Sequence, residues 1–128
     1  MKLITLLSAG ILLFSACKKV EGEGGSSTIK GKIHVLNYNT AGTLLGEYDG
    51  AKEDVYICYG TEDNTYDDKM EASYDGTFEF KYLENGTYTI FAYEDCATCE
   101  SGKKEVLATV TIDKKKSTVD VGTINLKK

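Results

Sequence analysis

No stretch of the 128 residues repeats its apolar side chains at a helical period, which excludes a helical bundle and leaves an all-β chain as the expectation. A single histidine, His34, excludes every catalytic arrangement that needs two, and no general base is marked beside Ser73, Ser101 or Ser117. The longest apolar run, residues 3–14, is well short of the roughly 20 residues that a membrane-spanning helix requires. Clustered basic residues are also lacking. The net charge is -5 with a pI near 4.9, and the run Lys114-Lys115-Lys116 is too short to form a phosphate-binding patch, so nucleic acid is excluded as a partner.

What is present at the start is an export signal: Lys2, the uncharged apolar run, then the small residues Ser15 and Ala16 before Cys17. The stretch Leu13-Phe14-Ser15-Ala16-Cys17 resembles the lipobox of bacterial lipoprotein precursors, with Phe14 where an aliphatic residue is usual. The resemblance implies that residues 1–16 are a lipoprotein signal peptide, removed on export, and that Cys17 is acylated and becomes the new N-terminus. Each buried methylene contributes about 0.8 kcal/mol, so more than one acyl chain holds a domain firmly to the membrane. Lys18 is unlike the aspartate associated with inner-membrane retention in enteric bacteria, so the outer membrane is the expected location, with either face open.

Residues 17–27 are rich in glycine, serine and charge, and read as a lipidated flexible tether. Residues 28–128 have the length of one domain that buries its own core. Ile29, Gly31, Ile33 and Val35 alternate with Lys30, Lys32 and His34, the period of a half-buried strand. Val55, Ile57 and Tyr59 mark a second strand, Met70, Ala72 and Tyr74 a third, and Phe78 and Phe80 a fourth. Tyr88, Ile90 and Ala92 mark a fifth and Val106, Ala108, Val110 and Ile112 a sixth. Asp75-Gly76 and Asn85-Gly86 read as tight hairpin turns between neighbouring strands. In the last strand the inward set Val119 and Val121 changes parity to Ile124 and Leu126, which predicts a bulge at Gly122. Seven such strands close as an antiparallel Greek-key β-sandwich.

The passage Tyr74-Asp75-Gly76-Thr77-Phe78-Glu79-Phe80, followed by Leu83-Glu84-Asn85-Gly86-Thr87-Tyr88-Thr89-Ile90, resembles the central signature of the carboxypeptidase regulatory-like and transthyretin-like β-sandwich families. Gly50-Ala51 resembles the segment that opens their second strand. These families usually carry proline before the second turn, whereas this chain has Glu84-Asn85 and no proline anywhere. The resemblance implies a fold used for accessory, stalk or recognition modules, and it implies no activity. Some surface relatives form an internal Lys to Asn isopeptide bond. Alternation places the corresponding Lys32, Asn125 and Glu79 outward, where a bond that needs burial is not expected.

Apart from Cys17 the cysteines are Cys58, Cys96 and Cys99. In an oxidising compartment, Cys96 and Cys99 are expected to form a local disulfide, with a bridge from Cys58 to one of them as the alternative. A redox site would need a lowered thiol pKa at a helix start, and the flanking residues here are Asp95 and Glu100. His34, Cys58, Cys96 and Cys99 are acceptable zinc ligands by type, with no local spacing that brings them together. No metal and no cofactor are expected. Glu62, Asp63, Asn64, Asp67 and Asp68 crowd one loop, but lack the spacing and glycine of an EF-hand, leaving calcium binding at 62–68 open.

The outward positions carry Tyr56, Tyr82, Phe91 and Tyr93, more aromatic area than a wetted face requires. They form the candidate contact surface, suited to stacking on a sugar or packing on a protein, and cross-strand pairing explains the same residues. The expectation is therefore a non-enzymatic, membrane-anchored accessory or recognition module for a protein or glycan at the cell envelope. A purely structural lipoprotein, or a thiol or metal protein using Cys96 and Cys99, are its rivals.

Overall fold

The computed structural model describes residues 20–61 and 65–128, so Cys17 and the expected signal peptide, residues 1–16, lie outside the described residues. The described residues contain strands and no helix: β1 (Glu23–Tyr38), β2 (Leu44–Asp49), β3 (Asp54–Tyr59), β4 (Asp68–Glu71), β5 (Thr77–Leu83), β6 (Gly86–Asp95), β7 (Lys103–Ile112) and β8 (Thr118–Lys127). One sheet holds β8, β1, β5 and β2, and the other runs β4-β3-β6-β7. Their facing sides supply a single core. Ile29, Ile33, Phe78, Phe80, Ile124 and Leu126 of the first sheet pack against Val55, Ile57, Tyr88, Ile90, Ala92 and Ile112 of the second. Each large aliphatic or aromatic side chain buried this way contributes about 1.5–3 kcal/mol.

The chain forms eight strands where alternation predicted seven. The additional strand, β2, is exposed on both faces, so it carries no apolar period to read. Its cause is backbone hydrogen bonding. On one edge of β1, β5 pairs as far as Lys32 and β2 continues from His34, leaving Ile33 as the point of transfer. There the Ile33 N–H donates to the Gly76 carbonyl at 2.7 Å, and the Gly50 N–H donates to the Ile33 carbonyl at 2.9 Å.

The wholly antiparallel expectation is also corrected, because β8 runs parallel to β1 along its other edge. Two further corrections concern turns. Asp75-Gly76 and Asn85-Gly86 do not close hairpins between paired strands. Each carries the chain from one sheet to the other, from β4 to β5 and from β5 to β6. The third strand stops at Glu71, leaving Tyr74 88% exposed in the first of these crossings. The bulge at Gly122 is present: Lys30 and Lys32 on β1 face Asp120 and Thr123 on β8, so β8 has one extra residue there. Gly122 sits at φ 82°, and the parity change sends Ile124 and Leu126 into the core.

The supposed tether is in part strand. Glu23–Ser27 belongs to β1, Glu23 and Ser27 both pair with Leu83, and Ser27 is fully buried. Its backbone pairs with β5, and its hydroxyl bonds to the turn before β8. Lys32 and Asn125 do not meet, since the Lys32 ammonium pairs with Asp49 at 2.9 Å.

Candidate recognition surface

The outer face of the β4-β3-β6-β7 sheet is built in rows. Register aligns Lys69, Tyr56, Phe91 and Leu107 in one row, Cys58, Thr89 and Thr109 in the next, and Tyr93 beside Glu105 on the other side. Because successive side chains of a strand alternate between faces, all of these point away from the core. The rings meet. Tyr56 stacks on Phe91 with centroids 4.9 Å apart, meets Tyr93 edge-on at 5.4 Å, and is capped by Tyr66 at 4.8 Å. Phe91 and Tyr93 complete the group at 5.6 Å.

Three of the four predicted contact residues, Tyr56, Phe91 and Tyr93, are thus brought together. Tyr82 is not among them. It lies on β5 in the opposite sheet, 70% exposed, with a positive φ of 60°. Phe91 is only 6% exposed, so its ring serves as the floor on which the tyrosines rest. Sequence reasoning missed Tyr66, which lies in the segment between β3 and β4 where no strand period operates. Leu107, 59% exposed, carried a readable signal as the one apolar side chain among the outward threonines of β7.

Beside the rings lies a hollow of about 270 Å³ lined by Cys58, Thr61, Thr65, Thr89, Phe91, Glu105, Leu107 and Thr109. Its floor is apolar at Phe91 and Leu107. Its walls carry threonine hydroxyls and the Glu105 carboxylate, which together accept and donate hydrogen bonds. Burial, and then the Asp54 charge, push the Tyr56 phenol above its ordinary range. Burial followed by the Glu105 carboxylate does the same to Tyr93. Both hydroxyls therefore remain protonated donors well into alkaline solution.

Cys58, which follows Ile57 on β3, points to this outer face and is nevertheless buried at 7% exposure. Its thiol donates to the Thr65 carbonyl at 3.6 Å. Cys96 and Cys99 are bonded to each other in the turn between β6 and β7, so neither bridges to Cys58. His34 lies elsewhere, on β1, against Glu47 at 3.3 Å and Asp49 at 3.9 Å. Among the described residues no three His, Cys, Asp or Glu side chains are grouped so as to hold a metal ion. In the acidic loop, residues 62–64 fall outside the described residues. The Asp67 carboxylate accepts from the Tyr59 N–H at 2.7 Å, and Asp68 from the N–H of Lys69 at 2.8 Å.

No protein-family model and no curated protein matches the chain. Among solved structures it is similar to a protein of Pseudomonas aeruginosa provisionally described as carbohydrate-binding, with 16% identity and a TM-score of 0.49 over 84% of this chain and 91% of that one. A likeness that remote carries no ligand from one chain to the other.

Proposed function

We propose that this chain is a non-enzymatic recognition module, held to the outer membrane by lipid on Cys17, that binds a glycan on the outer face of the β4-β3-β6-β7 sheet. The observation that carries this reading is the junction of an aromatic cluster with a hollow lined by hydroxyls. A pyranose ring has one face of C–H groups and a rim of hydroxyls. Tyr66 and Leu107 offer exposed apolar area for the first, and Thr89, Thr109 and Glu105 offer hydrogen-bond partners for the second. The anchoring part rests on the lipobox-like segment and is read out by the intact mass of the native protein, which must include the acyl chains at Cys17.

Glycan-array binding and calorimetry on Tyr66→Ala, Leu107→Ala and Thr89→Val test the recognition part. Tyr66 is 46% exposed and Leu107 59%, so both truncations are expected to leave the melting midpoint nearly unchanged while affinity falls tenfold or more. Empty arrays, with capture of a protein instead, would replace the glycan by a protein partner. The burial of Phe91 favours one rival, in which the rings only brace the sheet. That rival predicts stability losses at Tyr56, Phe91 and Tyr93 with no ligand of any class.

A further inference from the structure

The place where the chain enters the fold decides which end of the sandwich faces the membrane, given the lipid on Cys17 proposed above. Cys17 precedes Gly22 by five residues, and a fully extended chain covers at most about 3.6 Å per residue, or about 18 Å here. Gly22 is buried and held at both backbone groups. Its N–H donates to the Tyr88 hydroxyl at 2.9 Å, and its carbonyl accepts from the Glu84 N–H at 2.8 Å. β6 starts at this end with Gly86 and reaches Asp95, and ten residues at about 3.3 Å each put the Cys96–Cys99 turn about 30 Å away. The tether is shorter than the domain.

The turn between β7 and β8 lies at the tethered end and is fastened to the start of β1. The Lys116 N–H donates to Ser26 Oγ at 3.1 Å, and Ser27 Oγ donates to the Lys114 carbonyl at 3.1 Å. The Ser117 N–H donates to Ser27 Oγ at 3.2 Å, and the Thr28 N–H to the Ser117 carbonyl at 2.9 Å. Lys114, Lys115 and Lys116 are all exposed, and none pairs with a described acidic residue. As a run of three they are too few for nucleic acid. The fold, however, sets them where the anchor attaches, and the sequence adds Lys18 and Lys19 directly after it. The acidic groups described near this end are Glu21, Glu23, Glu84 and Asp113, with Asp67 and Asp68 beside Tyr59, so positive charge prevails only at the turn itself.

We propose that Lys114, Lys115 and Lys116 rest on the anionic head groups of the leaflet that carries the Cys17 lipid. The sandwich then stands upright, with its disulfide turn directed away from the bilayer. A Lys close to an anionic surface favours the docked orientation about fivefold, and the effect fades beyond a Debye length of roughly 8–10 Å. The tether, at most about 18 Å long, lets the turn come within that range, and the charge attraction holds it there.

The test uses the acylated protein inserted into the outer leaflet of preformed vesicles, either phosphatidylcholine alone or phosphatidylcholine with phosphatidylglycerol. Lysines are labelled with a water-soluble acylating reagent and read by peptide mass spectrometry. Lys114, Lys115 and Lys116 are expected to react several-fold more slowly on the anionic vesicles, with Lys104 at the far end unchanged and the difference erased by high salt. Equal labelling of the turn on both vesicles would overturn the docking while leaving the anchor standing. A native mass without acyl chains, with no co-flotation, would remove the anchor first and the docking with it.

Discussion

The hydroxyl of Tyr88 accepts a hydrogen bond from the Gly22 N–H at 2.9 Å and donates one to the Glu84 carbonyl at 2.6 Å. One buried phenol thereby joins the first residues of the domain to the crossing between its sheets. The ring also meets Tyr59 edge-on, with centroids 5.9 Å apart, so the same side chain closes that end of the core.

Tyr88→Phe retains the ring and removes the bridge. The Gly22 N–H and Glu84 carbonyl then lose a partner in a buried setting, which costs about 1–3 kcal/mol. Denaturant unfolding is expected to show a lower midpoint at an unchanged slope. Proteolysis is expected to reach the chain ahead of β1 sooner than in the parent. An unchanged midpoint would mean that water or a neighbouring group replaces the hydroxyl.

Two glycines separate backbone strain from packing. Gly122 lies at φ 82°, and a Cβ there would meet nothing within 4 Å. Gly122→Ala therefore costs only the left-handed backbone, about 1–2 kcal/mol. At Gly31 a Cβ would lie 2.6 Å from Phe78 Cζ and 2.6 Å from Val121 Cγ2, so Gly31→Ala overpacks the core by about 1–3 kcal/mol. Adding Val121→Ala is expected to recover part of the second loss and none of the first, a difference that a double-mutant cycle measures directly.

These contrasts mark how much of the molecule its sequence discloses. Strands with one wet face were legible because Ile29, Ile33, Val55, Ile57, Tyr88 and Ile90 repeat at a period of two, and the Gly122 bulge was legible as a change of parity. β2 was silent, since a strand exposed on both faces is specified by the free edge of β1 and not by its own side chains. The residues before Thr28 misled in the same way. Ser27 is buried for its backbone and hydroxyl bonds, which composition does not reveal. At the candidate site, Tyr56, Phe91 and Tyr93 followed from alternation, whereas Tyr66 reaches them from a segment without periodicity.

The disulfide closes a loop with a sequence separation of three. Loop-closure entropy for so short a loop is about 2 kcal/mol, an upper figure for what Cys96→Ser with Cys99→Ser can remove. The ladder between β6 and β7 extends from Gly86 opposite Ile112 to Asp95 opposite Lys103, so the sheet is expected to survive the loss. Thiol titration should find Cys58, Cys96 and Cys99 all slow to react in the native state. Denaturant should reveal Cys58, and reductant then adds Cys96 and Cys99. A fast native thiol would show that the contact between Cys58 and Thr65 opens readily.

Beside that turn, the Lys103 ammonium donates to the Asp95 carboxylate at 2.6 Å. This hydrogen bond holds the Asp95 carboxyl below its ordinary value of 3.8 and raises Lys103 above 10.5. The two limbs have opposite signs. A depressed carboxylate stabilises the fold above its ordinary range, and that contribution disappears as pH falls through the lowered folded value. A raised lysine stabilises below 10.5, and its contribution disappears as pH rises through the raised value. The pair is therefore complete between those limits and lost outside them. Both side chains are about half exposed, so solvent and salt screen the pair and the stability change at neutral pH is expected to be small. The decisive measurement is the NMR titration of the Asp95 carboxyl. In Lys103→Met it should move up toward its ordinary value, and high salt should move the parent protein in the same direction. A titration indifferent to both would mean that the ion pair does not persist in solution.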